Sequence, residues 1–461
     1  MRRAEADQVR RRRRPTDKGV TVRTTSRKFI AATAGAASIA LLATACSTGG
    51  GGGNAEETTD PNAKITLTVA TFNDFGYTDE LLAEYTKLHP NITVKQTKAA
   101  KSDDARQNLT TKIAAGGAGL ADIEAIENDW LVELLQVSDK FLDLKDPAVD
   151  GRWPDWKNAA ATSTDGRLIG YGTDIGPEGI CYRTDLFEKA GLPTDRAEVA
   201  ELIGGDSATW DSYFDAGKKF VDETGIAWFD SAGALWQGMV NQVEYPYENE
   251  DGSVKPLADN TEIHDLYNKV LEASVDDKLS AGLAQWEQDW TAAFTQDKFA
   301  TMLCPAWMTG PIKQNAGDAG QGKWDVADVF PGGGGNWGGS WLTVPASGKN
   351  TAAAKELAAW LTAPEQQIKA FENAGTFPSQ IEAQKSQTLL DSKNEYFNDA
   401  PVGQIFSNRA AAITVSSFRG PNYFKIGQTI TDALRRVDVD KSQDAAAGWD
   451  QAVKDFNALG L

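Results

Sequence analysis

A chain of 461 residues with 41% hydrophobic content is long enough for two ordinary lobes and too long for one comfortable core. Its 65 acidic against 46 basic residues give a net charge of −19, which excludes a general affinity for nucleic acid or anionic lipid. Only two histidines and three cysteines occur, so no Ser/His/Asp, Cys/His or metal-ligand cluster can be read, and neither metal nor cofactor is expected.

The basic residues concentrate at the start. Residues 1–45 carry 11 Lys and Arg against 3 Asp and Glu, which leaves the remainder at −27. Arg27 and Lys28 precede Phe29 to Leu42, an apolar run short for a membrane span and suited to a signal segment. The run ends Leu42-Ala43-Thr44-Ala45-Cys46, which resembles a bacterial lipobox with Ala43 in place of the commoner leucine. The resemblance implies a signal peptide over 1–45, lipidation of Cys46 and a tether over 46–61 that includes the run Gly49 to Gly53. The expected location is therefore the outer face of the cytoplasmic membrane.

Ile65 to Phe72 alternates in the manner of a strand, Tyr77 to His89 has helical spacing ended by Pro90, and Ile92 to Thr97 is the next strand. Leu109 to Ala115 reads as helix, and Ala121 to Ile126 as a third strand running into Glu127-Asn128-Asp129-Trp130. Alternating strands and helices predict a largely parallel sheet, with ligands beyond the carboxyl ends of its strands. Two such ends are Asn73-Asp74-Phe75 and Glu127 to Trp130. Leu168 to Tyr182 has two strand-like halves around a Gly- and Pro-containing bend, and Thr209 is placed to cap a helix. Asp251-Gly252 marks a hairpin, Trp286 to Phe299 a helix, and Phe424 to Val437 and Asp444 to Leu459 two amphipathic helices.

Phe330 to Gly348, FPGGGGNWGGSWLTVPASG, sets two indoles among six glycines before an apolar strand. The pattern fits either a loose loop plugging a core or the wall of a cleft.

The order of these pieces resembles the extracellular solute-binding proteins of carbohydrate ABC importers, the class that includes maltose-binding protein. The resemblance covers about residues 62 to 461. It rests on Leu88-His89-Pro90-Asn91-Ile92, the GYG segment before Cys181-Tyr182-Arg183-Thr184-Asp185-Leu186-Phe187, AGLP before Thr209-Trp210-Asp211, Pro305-Ala306-Trp307, and Ala353 to Leu361 before Pro364-Glu365. Thr71-Phe72-Asn73-Asp74-Phe75-Gly76-Tyr77, Glu127 to Trp130 and Cys304-Pro305-Ala306-Trp307 are similar to segments of actinobacterial receptors for cellobiose and cello-oligosaccharides. This implies an α/β fold of the periplasmic-binding-protein type, with a mainly parallel sheet flanked by helices in each of two lobes and a sugar cleft between them. On that pattern, crossovers fall near Tyr171 to Asp174, Ser340 to Thr343 and 390–400. One lobe then comprises 60–172 and 343–392, the other 173–342 and 393–461. The implied function is capture of an oligosaccharide by a non-enzymatic, monomeric receptor that delivers it to permease subunits coupled to an ATPase.

A pyranose presents an apolar C–H face and a rim of hydroxyls, so its receptor needs flat aromatics and fixed polar groups. Trp130, Trp307 and Trp337 are the expected stacking platforms, followed by Trp236, Trp341 and Tyr423. Asp74, Asp129 and Asp230 are the expected hydroxyl acceptors, with Asn73, Phe75, Glu127 and Asn336 beside them and Arg419 as a donor. Cys181 and Cys304 are expected to form a disulfide, with two buried free thiols as the alternative. An anchored glycoside hydrolase, with paired carboxylates near aromatics, and a surface lipoprotein without small ligand remain as rival readings.

Overall fold

The computed structural model describes residues 63–461. The expected signal peptide 1–45, lipidated Cys46 and tether 46–61 lie outside the described residues.

The strands among the described residues are β1 (Ile65–Phe72), β2 (Ile92–Ala99), β3 (Ile123–Glu127), β4 (Tyr171–Gly172), β5 (Glu178–Arg183), β6 (Thr301–Pro305), β7 (Trp324–Ala327) and β8 (Ser340–Thr343). They form a five-stranded sheet in the order β2-β1-β3-β8-β4 and a three-stranded sheet in the order β6-β5-β7. In the first, β1 runs parallel to β2 over its whole length and parallel to β3, while β8 inserts antiparallel between β3 and β4. Leu67, Val69, Ile123 and Leu342 centre its core, which the helix Thr351–Leu361 helps to cover.

The architecture is the expected two-lobed α/β one, with a difference in the second lobe. Its sheet is antiparallel throughout, and parallel pairing is confined to the bridges Ala227↔Phe299 and Phe229↔Ser280. Period-two alternation on β5 serves two cores at once: Ile180 and Tyr182 face one, Cys181 the other. Cys181 and Cys304 are joined as a disulfide between β5 and β6.

Local signals explain several boundaries. Thr209 caps the helix Trp210–Thr224 in a reciprocal capping box with Ser212, and left-handed Gly225 ends it. Glu248 and Val254 bridge across the Asp251-Gly252 turn. The expected helix Trp286 to Phe299 shrinks to Gln288–Ala293, because Trp286 itself adopts φ 69°, a region a bulky side chain rarely enters.

Passages at 173–178 and 336–340 connect the two sheets, and 375–378 runs beside them as a third. The segment 390–400, expected as a crossover, contributes Tyr396 and Phe397 to a core. Leu389 and Cys181 belong to the same core, and Ile175 N donates to Phe377 O at 2.9 Å. Polar residues around 390–400 imitate a linker in sequence, but their aromatics are core.

Candidate functional site

The three passages run side by side. Thr173 N donates to Ser340 O at 2.9 Å, and Trp337 N donates to Gly176 O at 2.8 Å. A Cβ at position 176 would collide with that Trp337 backbone, so only glycine permits the approach. Extended backbone sends successive side chains to opposite sides. Asp174, Trp337 and Thr376 accordingly line one interlobe cavity, and Ile175, Asn336 and Phe377 line another.

The first cavity, of about 460 Å³, lies beyond the carboxyl ends of β1 and β3, where open α/β sheets place ligands. Near those strand ends it is lined by Asn73, Asp74, Lys101, Asp103, Glu127 and Asp129 beside Phe72 and Phe75. Trp236, Trp286, Trp307, Trp337, Tyr423 and Phe424 also line it, among polar side chains such as Gln285, Glu287 and Arg435. The second cavity, about 1090 Å³, is larger, but its walls are mostly apolar side chains such as Leu131, Trp156, Ile413 and Phe418. Orphaned polar atoms favour the first. Asn73 Oδ1 and Thr376 Oγ1 are buried on its wall without a hydrogen-bond partner, a state that a bound hydroxyl would relieve.

The indoles are held firmly. Trp307 and Trp286 lie nearly parallel with centroids 6.0 Å apart, and Trp337 meets Trp307 edge-on at 5.6 Å. Trp307 Nε1 donates to Trp337 O at 2.8 Å, which couples the two platforms. Strain at Trp286 is of the kind that persists where the surroundings over-determine a residue.

The Glu127 carboxyl is driven well above the usual carboxylate range, by burial first and by the neighbouring Asp129 charge second. It therefore holds its proton more readily than a free carboxyl and can offer a hydroxyl donor as well as an acceptor. Its Oε2 accepts from Asp129 N at 3.2 Å, capping the helix Asn128–Leu135. Nearer the α-helix Tyr423–Asp438, Arg435 pairs with Glu287 at 2.5 Å and holds it below its ordinary range.

Of the residues expected from sequence, Asn73, Asp74, Phe75, Glu127, Asp129, Trp236, Trp307, Trp337 and Tyr423 converge on this cavity. Trp236 is fully buried and Phe75 nearly so, packed edge-on against Phe72. Five others do not converge there. Trp130 is core, 1% exposed, with its Nε1 donating to Ser102 Oγ at 2.8 Å. Trp341 is core too; Lys157 Nζ sits 3.4 Å above its ring, and its Nε1 donates to Lys157 O. Asp230 is enclosed, its carboxylate accepting from Trp290 Nε1, Gln285 Nε2 and Ser231 N, and burial lifts its carboxyl to about 6. Asn336 ties passages together, accepting from Gly176 N and donating to Gly338 O. Arg419 is a strut, donating to Asp129 Oδ1 at 2.8 Å and to Asn241 Oδ1 at 3.0 Å.

Sequence reasoning missed Trp286, Gln285, Thr376 and Phe424. Helical spacing absorbed the two aromatics, and nothing local marks Gln285 or Thr376. The one available signal was the cluster Pro421-Asn422-Tyr423-Phe424, aromatics beside a helix start.

Two α/β lobes, three side-by-side passages and a cavity walled by both lobes define a two-lobed binding protein. The chain belongs to the bacterial extracellular solute-binding protein family, whose model matches residues 80–396. It is similar to the lactose-binding protein of Rhizobium radiobacter, 28% identical over 256 residues, which span 54% of this chain and only 57% of that protein. It is also similar to the arabinooligosaccharide-binding protein of Bacillus subtilis (strain 168), 26% identical over 361 residues, spanning 74% and 79% respectively. Among solved structures, an extracellular solute-binding protein of family 1 is 49% identical with TM-score 0.73, covering 86% of this chain and 99% of that one. The binding protein associated with an ABC transporter of B. animalis subsp. lactis Bl-04, in complex with beta-1,6-galactobiose, shares the fold at 21% identity and TM-score 0.72, covering 87% and 98%.

Proposed function

We propose that this protein is the substrate-binding component of an ABC-type importer and captures a neutral oligosaccharide, cellobiose or a cello-oligosaccharide, by closure of its lobes. The observation that carries the reading is the cavity of about 460 Å³ lined by Trp307 and Trp337 together with Asn73 and Glu127. Apolar ring faces and hydroxyl partners in one cavity are what a pyranose requires. The volume falls within the roughly 300–1,000 Å³ of small-ligand sites. Relatives named for lactose and for arabinooligosaccharides support the sugar class.

The lobes in this reading meet at the three passages, so the first comprises about 63–172 with 341–374 and the second the remainder. Sugar that touches both lobes only when they are close shifts the population toward the closed form, which the permease and its ATPase then engage. Export, anchoring through Cys46 and action as a monomer complete the proposal. Among the described residues, no helix is long and apolar enough to cross a membrane.

Thermal shift and tryptophan fluorescence with cellobiose, cellotriose, lactose and an arabinobiose test it, because a ligand of the native form raises the melting temperature by mass action. A saturable response to cellobiose without release of glucose is expected. Glucose release would replace the receptor with the hydrolase, and silence toward every sugar would remove the sugar reading.

A further inference from the structure

Glu178 opens β5 and is 0% exposed, and neither carboxyl oxygen has a hydrogen-bond partner or is reached by water. Leu303 of β6 and Gly238 of the helix Ala232–Val240 crowd it from the sheet and helix, and Phe330 and Gly335 crowd it from the glycine-rich loop. A Cβ at position 335 would collide with Glu178 Oε2, so the loop closes over the carboxyl only because that residue is glycine.

The backbone on either side of this carboxyl is fastened to the segments that carry Trp307 and Trp337. Glu178 N donates to Gly335 O at 3.1 Å, Pro177 bridges Asn336, and Ala306 N donates to Pro177 O at 3.1 Å beside Trp307. A carboxylate with no partner in such surroundings is very costly, whereas a protonated carboxyl is far less so. Burial alone raises its affinity for a proton well above the ordinary, and no charged or titratable group on β6, the helix or the loop offsets that.

We infer that Glu178 is a positioning residue: its protonated carboxyl seats the Gly335–Trp337 wall, and its ionisation loosens that wall and weakens ligand binding. The inference rests on the proposed sugar site. It makes the platforms around Trp307 and Trp337 sensitive to pH although neither ring titrates.

The test compares wild type with Glu178→Gln, which mimics the protonated form, and Glu178→Met as a second uncharged variant. In protein labelled with 5-fluorotryptophan, the ¹⁹F resonances of Trp307 and Trp337 should move further on raising the pH in wild type than in either variant, where only neighbours such as Glu127 and Lys157 still titrate. The folding equilibrium of wild type should fall up to tenfold per pH unit relative to Glu178→Gln while the folded group keeps its proton. Cellobiose affinity should decline with pH in wild type more steeply than in the variants. Identical pH profiles in wild type and Glu178→Gln would overturn the inference. Failure of cellobiose to bind either protein would count against the receptor reading alone, since the resonances and the folding equilibrium need no ligand.

Discussion

The Cys181–Cys304 bridge encloses 123 residues of chain and sits wholly within the core, so its removal should act mainly on the unfolded ensemble. Loop-closure entropy for that span amounts to about 4.9 kcal/mol at 25 °C. Unfolding entropy of about 2.1 cal/mol/K per residue over residues 63–461 amounts to about 0.84 kcal/mol/K. The double variant Cys181→Ala/Cys304→Ala should therefore melt about 6 °C below the oxidised wild type, and somewhat lower still because two sulfurs leave a packed core. Differential scanning calorimetry measures this directly, with thiol alkylation and intact mass on unfolded wild type as the control. Equal melting temperatures within about 1 °C, or two alkylatable thiols in the oxidised protein, would refute the argument.

Other perturbations separate site from scaffold. Trp307→Ala should weaken cellobiose binding by about 2–4 kcal/mol in titration calorimetry, as loss of a buried anchor aromatic does. Trp130→Ala should instead cost about 3–5 kcal/mol of stability in urea unfolding and leave the affinity of the folded fraction unchanged. Arg419→Ala leaves Asp129 without its ion-pair partner and should cost about 3–5 kcal/mol in the same assay. Burial lowers Lys157 to about 7, although the Asp174 and Glu127 charges oppose the shift. Between that value and 10.5 the unfolded chain holds a proton that the folded one has shed, so the lysine's contribution to stability rises with pH across the window and is flat below it. Lys157→Met should therefore gain on wild type by roughly 1.4 kcal/mol per unit as pH falls from 10 to 7. A difference independent of pH would contradict this.

Periodicity and punctuation made much of the fold legible. β1 is found at the expected Ile65–Phe72, and the last two helices lie within one residue of their expected ends. Alternation and amphipathicity are local properties that tertiary packing had no reason to override. The site was legible where a strand end coincides with it, as at Asn73, Asp74 and Glu127, and where aromatics stand at turns, as at Trp307 and Trp337. Trp130 follows Glu127 by three residues on a helix that turns its ring inward toward Phe72 and Ser102, a direction no spacing reveals. Trp341 shows the same limit, since its fate is decided by Lys157, 184 residues away. The glycine run Gly332 to Gly335 is neither loose nor a bare rim: Gln242 Nε2 donates to Pro331 O and Gly334 O and pins it.

The place of β8 in the first sheet bears on how the chain reaches its native state. Glu124 pairs with Thr343 and Tyr171 with Leu342, so β3 has no neighbour on that side until residues more than 200 positions later arrive. A fragment ending at 172 would display an open, apolar strand edge and has no route to a finished sheet. Completing the first sheet thus needs contacts of large sequence separation, which are slow to form.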